Sequence, residues 1–301
     1  MKVLITGGNG QLGNELQRII SSGEAEIGPI CEVYRGAAVD AIDSDVLDIA
    51  DPQAVHQWFA EHGAYDLTIN CAAVTNVDGC EKNEALALRV NGFGAENLAR
   101  EVARTGGKFV HVSTDYVFPG TDKTPRVETD PVCPISAYGR SKWEGEVLVR
   151  DACSSSFIVR TAWLYGYVGR NFVKTMLRLA KQNGAISVVA DQFGNPTNAN
   201  DLAYEILAMA LTENYGTYHC TNEGIASWFE FASAIVDLAG VACGKEPLTS
   251  EEYKRRFPAS ADRPKYSALE NRHLAETIGN RMRPWREALT TYMANLPALG
   301  N

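Results

Sequence analysis

Lys2-Val3-Leu4-Ile5-Thr6-Gly7-Gly8-Asn9-Gly10-Gln11-Leu12-Gly13-Asn14-Glu15-Leu16 decides the fold. A short apolar, β-prone run stops at Thr6. Four glycines follow between positions 7 and 13, and then Leu12, Leu16, Ile19 and Ile20 recur at helical spacing. The pattern is strand, tight turn, amphipathic helix. Such a turn lets backbone N–H groups approach a pyrophosphate, and the helix N-terminus adds partial positive charge. Two glycine templates fit at once, Gly8-x-Gly10-x-x-Gly13 and Gly7-x-x-Gly10-x-x-Gly13. Alone, a glycine fingerprint is weak, because many surface turns are glycine-rich. Between a strand and an amphipathic helix it points to dinucleotide binding.

The 301 residues suffice for one large α/β domain, or a large domain with a smaller lobe. A hydrophobic share of 45% and a charged share of 22% describe an ordinary globular chain. The net charge of −9 argues against general nucleic-acid or anionic-membrane binding. Seven cysteines without a C-x-x-C read as reduced thiols rather than a disulfide framework. With the first strand starting at Val3 and no long apolar run, neither a signal peptide nor a membrane span is expected, and the expected location is cytoplasmic.

Further along, Ala37-Ala-Val-Asp40 reads as a second strand ending on an acid. There a carboxylate would accept the adenosine ribose hydroxyls. An ordinary loop aspartate is the alternative, since Asp40 lies beyond the usual spacing. Asp51-Pro52 opens a helix, Leu67 to Ala73 is a strand ending in small residues, and Ala85 to Arg104 reads as a long helical stretch. Lys108 to Thr114 and Phe157 to Thr161 are further strands, flanking a helix from Tyr138 to Arg150. Alternation of this kind predicts a Rossmann-type doubly wound parallel sheet. Beyond Trp163 the elements shorten. Helices are expected at Phe172–Gln182, Asp201–Leu211 and Ser227–Leu238, with others after Thr249 and Pro284, and a strand at Ile186–Val189. The expected division is a dinucleotide-binding domain over residues 1–165, with a segment near 198–220 returning to it. Residues 166–301 would mainly form a smaller substrate lobe, the pocket lying between.

Ser113-Thr114-Asp115-Tyr116 closes one strand, and Tyr138-Gly-Arg-Ser-Lys142 follows on the next helix. Residues 138 and 142 share a helical face. An ammonium near a phenol favours the phenolate, and lowering its pKa by about three units takes about 4 kcal/mol, which needs a desolvated site. A Tyr-x-x-x-Lys pair is otherwise an ordinary solvent-facing pair. Downstream of a glycine fingerprint it suggests acid–base chemistry.

Taken with Gly10-Gln11-Leu12-Gly13, Ser113 to Phe118, Arg160-Thr-Ala-Trp163 and Asp191-Gln-Phe-Gly-Asn-Pro-Thr197, these segments carry a resemblance over nearly the whole chain. The sequence resembles the extended, nucleotide-sugar-modifying branch of the short-chain dehydrogenase/reductase superfamily, and within it the dTDP-4-dehydrorhamnose reductase family. The resemblance implies NADPH or NADH as cofactor and hydride transfer to C4 of a 4-keto-6-deoxy sugar carried on a nucleotide, a step towards cell-surface polysaccharide. Tyr138 would protonate the alkoxide, Lys142 would hold the nicotinamide ribose, and Thr114 would orient the keto oxygen. Gly7, Gly10, Gln11, Leu12, Gly13, Asp48, Ala72, Ala73, Thr75 and Asn91 are implied at the cofactor. Asp115, Tyr116 and Phe118 would shape the sugar pocket beside Trp163, for which a core position is the alternative. Asn171, Gln192 and Arg263 are implied near the nucleotide and its diphosphate, Arg263 having a surface charge as its alternative.

Dehydratases of this branch carry Asp-Glu after the threonine, where this chain has Asp115-Tyr116, so dehydration is disfavoured. Some relatives hold a divalent metal such as magnesium at a dimer interface through glutamates. Glu15 stands at a matching place, but one carboxylate is not a site, and both metal and homodimer stay unassigned. Two rivals remain at this stage: another nucleotide-sugar ketoreductase or epimerase, and a non-catalytic regulatory subunit of the methionine adenosyltransferase type. The five histidines lack metal-ligand spacing, and Asp43-Ser-Asp45 lacks the rest of a calcium loop.

Overall fold

The computed structural model describes residues 1–299. Its centre is a six-stranded sheet in which every neighbouring pair is parallel. The strands are β1 (Lys2–Thr6), β2 (Ala38–Ile42), β3 (Leu67–Asn70), β4 (Lys108–Thr114), β5 (Ser156–Thr161) and, after an excursion, β7 (Gly216–His219). They lie in the order β7-β5-β4-β3-β1-β2. Sheet order reverses at β1, with β2 on one side and β3 on the other, and ligands of open α/β sheets bind outside the carboxyl ends of strands at such a switch point.

Two helical layers cover the sheet. On one face α1 (Gln11–Ser22) packs beside α6 (Ala199–Ala210), burying Leu12, Leu16, Ile19 and Ile20 with Leu202 and Ile206 against Val3 and Ile5. Each such side chain contributes roughly 1.5–3 kcal/mol by burial, more than helix propensity supplies to α1. On the other face lie α2 (Pro52–His62), α3 (Ala95–Thr105) and α4 (Ala137–Ala152), which bury Val55, Phe59, Leu98, Val102 and Val149. Asp51 caps α2 by accepting from the N–H groups of Gln53 and Ala54, so the Asp-Pro signal acts as its chemistry predicts.

A third core belongs to the later chain. Helices α5 (Phe172–Asn183), α7 (Trp228–Leu238) and α8 (Trp285–Leu299) surround a parallel pair, β6 (Ala185–Val189) and β8 (Gly244–Leu248). Capping boxes at Ser227/Glu230 and Thr249/Glu252 start α7 and the short helix Ser250–Arg256.

One sequence expectation gains detail and another needs correction. The stretch from Ala85 to Arg104 is helical throughout, as expected, but Glu84–Leu88 is followed by a π-helical segment at Arg89–Gly94 before α3 begins. Gly94 lies there against Ile49, where a Cβ would come within 2.8 Å of its side chain. The second strand ends at Ile42 rather than Asp40. Among the described residues no helix is long and apolar enough to cross a membrane. All seven cysteines are free thiols.

Candidate active site

A cavity of about 670 Å³ lies at the carboxyl ends of β1, β2, β3 and β4. The glycine turn forms its floor. Gly7 has φ of +70°, and a Cβ there would meet Ala72 N at 2.8 Å; a Cβ on Gly13 would meet Gly7 O at 2.3 Å. Side chains are thus excluded from the turn, and the backbone lies open to a ligand. No side chain caps α1, so its first amides, around Gln11 and Leu12, border the cavity. This glycine cradle with an uncapped helix start fits a dinucleotide pyrophosphate.

Of the residues expected at the cofactor, Gly7, Gly10, Gln11, Leu12, Gly13, Asp48, Ala72, Ala73 and Thr75 all line this cavity. Asp40 does not. Its carboxylate accepts from the Tyr65 hydroxyl at 2.7 Å and lies 3.9 Å from Lys2 Nζ. Three residues further on, Asp43 stands just past the strand's end, lines the cavity and accepts from Asn9 N–H at 3.2 Å. Asn91 also lies off the cavity. Buried, it bonds both backbone groups of Val74 and the Ser141 hydroxyl, bracing the end of β3 against α4.

Thr114, Asp115, Tyr138, Lys142 and Trp163 converge on the same cavity. Ser136 caps α4, and Gly139 lets its first turn reach the Tyr116 carbonyl, where a Cβ would come within 2.2 Å of the oxygen. Tyr138 therefore sits beside the end of β4, hydrogen-bonded with Thr114 and edge-on to Tyr116 at 5.8 Å between ring centres. Burial holds its phenol above the ordinary value, outweighing the Thr114 bond. This corrects the expectation that Lys142 lowers it: the Lys142 ammonium instead donates to Val112 O at 2.7 Å and faces His111. A phenol that keeps its proton suits an acid. Burial brings Lys142 down to about 8 and pushes Asp115 up to about 7.

Tyr116 and Phe118 do not line this cavity. Phe118 is wholly buried against the Arg160 guanidinium and His219. Arg160 in turn pairs with Glu146 at 2.7 Å, and Glu146 accepts from Ser113 at 2.6 Å, fixing the strand end that presents Thr114. Trp163 is the one non-glycine residue with positive φ among those described, at 46°. It stacks on Trp228 with ring centres 3.4 Å apart, and Gly194 leaves room for its edge. The Asp191–Thr197 segment thus buttresses Trp163.

Trp228 borders a second cavity, of about 640 Å³, which Gln192 and Arg263 also line. Gln192 bonds the Ser250 hydroxyl, while Arg263 keeps one buried guanidinium nitrogen, Nε, without a partner. Lys254 and Lys265 join it there, two cations that sequence reasoning missed. Asn171 lines neither cavity; it caps α5 and donates to Gln11 and Gly166 O, tying the later chain to the glycine turn. Glu15 is taken by Arg18 and Asn200, and among the described residues no group of three or more His, Cys, Asp or Glu could hold a metal.

A family model described as RmlD substrate binding domain matches residues 1–297. The chain belongs to this family. It is 44% identical to a dTDP-4-dehydrorhamnose reductase of Clostridium acetobutylicum of solved structure, with a TM-score of 0.91 over 99% of this chain and 100% of that one. A dTDP-4-dehydrorhamnose reductase of Bacillus anthracis, solved in complex with NADP, is 40% identical, with a TM-score of 0.89 over 98% of this chain and 99% of the other. The spore coat polysaccharide biosynthesis protein SpsK of Bacillus subtilis is 42% identical over 97% of this chain and 96% of its own length.

Proposed function

We propose that this chain is an NAD(P)H-dependent reductase of the C4 keto group of dTDP-4-dehydro-L-rhamnose, yielding dTDP-L-rhamnose for polysaccharide synthesis. The observation that carries the reading is the convergence of Thr114, Tyr138 and Lys142 on the cavity floored by the glycine turn. Family membership and the reductases named among its relatives support it.

When bound, the reduced nicotinamide supplies hydride. The chain's own residues do the rest. Tyr138 gives its proton to the developing alkoxide, Thr114 orients the keto oxygen, and Lys142 holds the ribose and stabilises the phenolate left behind. The apolar methyl of the sugar suits the free face of Trp163. In the second cavity, Arg263, Lys254 and Lys265 supply positive charge for a nucleoside diphosphate. Residues 1–165, with the segment near 198–220, act as the cofactor lobe and residues 166–301 mainly as the nucleotide-sugar lobe. The addition of β7 to the main sheet and the separate third core support that division. A cytoplasmic location and a homodimer go with this reading, the latter tested by sedimentation.

We infer that both cofactors are accepted. Asp43 and Asp48 bring carboxylates to the cavity, which favours a free ribose hydroxyl, while NADP occupies the Bacillus anthracis relative. Nicotinamide absorbance with freshly generated dTDP-4-dehydro-L-rhamnose, using NADH and NADPH in parallel, tests the reading. Oxidation should occur with either and yield dTDP-L-rhamnose. Tyr138→Phe should lose at least about a hundredfold in kcat while still binding cofactor. Full activity in that variant removes Tyr138 from the acid role, and cofactor binding without turnover of this sugar points to another substrate.

A further inference from the structure

His111 sits within β4 beneath the catalytic lysine, with no solvent exposure, and none of the chemistry above uses it. Its ring spans two partners. Nδ1 lies 3.1 Å from the side-chain nitrogen of Asn70, and Nε2 lies 3.3 Å from Lys142 Nζ. The orientation of Asn70 is fixed from its other end, because its Oδ1 accepts from the Ala72 N–H at 3.1 Å and from the Thr6 hydroxyl at 2.8 Å. An amide nitrogen could not accept from Ala72. Asn70 therefore donates to His111 Nδ1, and a neutral ring must carry its proton on Nε2, directed at Lys142.

That proton distinguishes the two states of the lysine. A neutral amine has a lone pair to accept it. An ammonium has only donors, so the charged lysine meets a donor head-on unless the ring proton moves to Nδ1, where it faces the Asn70 NH₂ instead. One contact in the chain is frustrated whenever Lys142 is charged, and none when it is neutral. Burial and the Lys142 charge keep the ring itself from protonating.

We propose that His111 is a positioning residue that governs the charge of Lys142 through a ring tautomer coupled to it: Nε2–H with the neutral amine, Nδ1–H with the ammonium. The other groups facing Lys142 do not take over this task. Glu146, one turn along α4, favours the charge but is occupied by Arg160 and Ser113. The Cys71 thiol at the end of β3 is held protonated by burial. Tyr138, one turn earlier, keeps its proton.

The consequence for catalysis rests on the reductase reading; the tautomer itself does not. Reduction needs the ammonium, which stabilises the developing Tyr138 phenolate, so activity should fall on the alkaline side as Lys142 loses its proton near pH 8. In His111→Gln the amide can turn its oxygen to Lys142. The alkaline limb of kcat/KM should then move up by about one pH unit, giving about tenfold more relative activity well above the wild-type midpoint. An unmoved limb with a uniformly lower kcat means a merely structural histidine and overturns the proposal.

The second measurement needs neither substrate nor cofactor and does not depend on that variant folding. Ring-¹⁵N-labelled wild-type protein is titrated by NMR from about pH 6.5 to 9.5, beside Lys142→Met. One buried neutral histidine should exchange tautomer with the midpoint of the alkaline limb, and should stay Nε2–H throughout in Lys142→Met. A single tautomer across the wild-type titration overturns the proposal. Failure to reduce this particular sugar would sink the substrate assignment and leave the NMR result standing.

Discussion

Asp115 carries a carboxyl at 2% exposure, with one oxygen bonded to the Thr114 hydroxyl. Burial raises its pKa from 3.8 to about 7, against the opposing hydrogen bonds from Ser267 and Thr114. The sign of the linkage follows. Between about pH 4 and pH 7 the unfolded chain has released this proton while the folded one keeps it, so the contribution to stability falls as pH rises through that window. Asp115→Asn removes the titration and keeps an acceptor for Thr114. The variant should be more stable than wild type at pH 8, by on the order of 1–2 kcal/mol, with little difference near pH 4. Thermal melts at the two pH values check this; a gap of equal size at both would mean that Asp115 ionises as it does in water. The price of burying this acid is local rigidity: its engagement with Thr114 fixes the hydroxyl beside Tyr138, and the Ser113–Glu146–Arg160 chain secures the residue before it.

At the scale of elements, the start of α4 sets the distance between Tyr138, the proposed acid, and the strand end. Gly139 is the position that permits it, since a Cβ there would come within 2.2 Å of the Tyr116 carbonyl oxygen, a backbone atom that cannot step aside. Gly139→Ala should cost about 1–3 kcal/mol of stability and shift Tyr138 enough to lower kcat more than tenfold. Denaturant melts and steady-state kinetics read the two effects, and wild-type kcat in a folded variant would show that α4 tolerates the displacement. Elements were legible in the sequence wherever periodicity, caps and glycines agreed, as at β1–α1, at Asp51-Pro52 and at the two capping boxes. They were misread where a local pattern hid a tertiary demand. Ala37-Ala-Val-Asp40 looked complete at its acid, yet β2 continues to Ile42 and delivers Asp43 to the cavity, while Tyr65 and Lys2 engage Asp40. The periodicity over Ala85–Arg104 concealed the π-helical turn, whose signal was Asn91-Gly92-Phe93-Gly94 in the middle of the run. Phe118 belonged to a motif that surrounds a site, and Asn171 was implied there by resemblance; neither source says which residues face inward. Neither long-range partner, Arg160 for the first or Gln11 for the second, can be read from local spacing.

For the whole molecule, the question is how two cavities built by different parts of the chain would serve the one substrate proposed. The stacked indoles of Trp163 and Trp228 lie at their common boundary, the first lining the cavity of the glycine turn and the second lining its neighbour. Trp163 holds φ of 46°, a conformation costing on the order of 1–3 kcal/mol in a non-glycine residue. The stack, the space left by Gly194 and the surrounding Phe231 contacts offset that cost. Trp228 is thus a support for Trp163 as well as a wall of the second cavity, the one proposed for the nucleotide. Trp228→Ala removes both functions while leaving the glycine turn untouched. The expected result is a rise of about tenfold or more in KM for the nucleotide sugar, equivalent to the roughly 1.4 kcal/mol that a stacked aromatic pair can supply. The dissociation constant for NADPH, followed by fluorescence, should stay within about twofold of wild type, because none of its cradle depends on this ring. Equal weakening of both ligands would mean that the indole pair couples the lobes instead of dividing their tasks. The boundary would then be a hinge common to both sites, and the two cavities could not be assigned separate ligands.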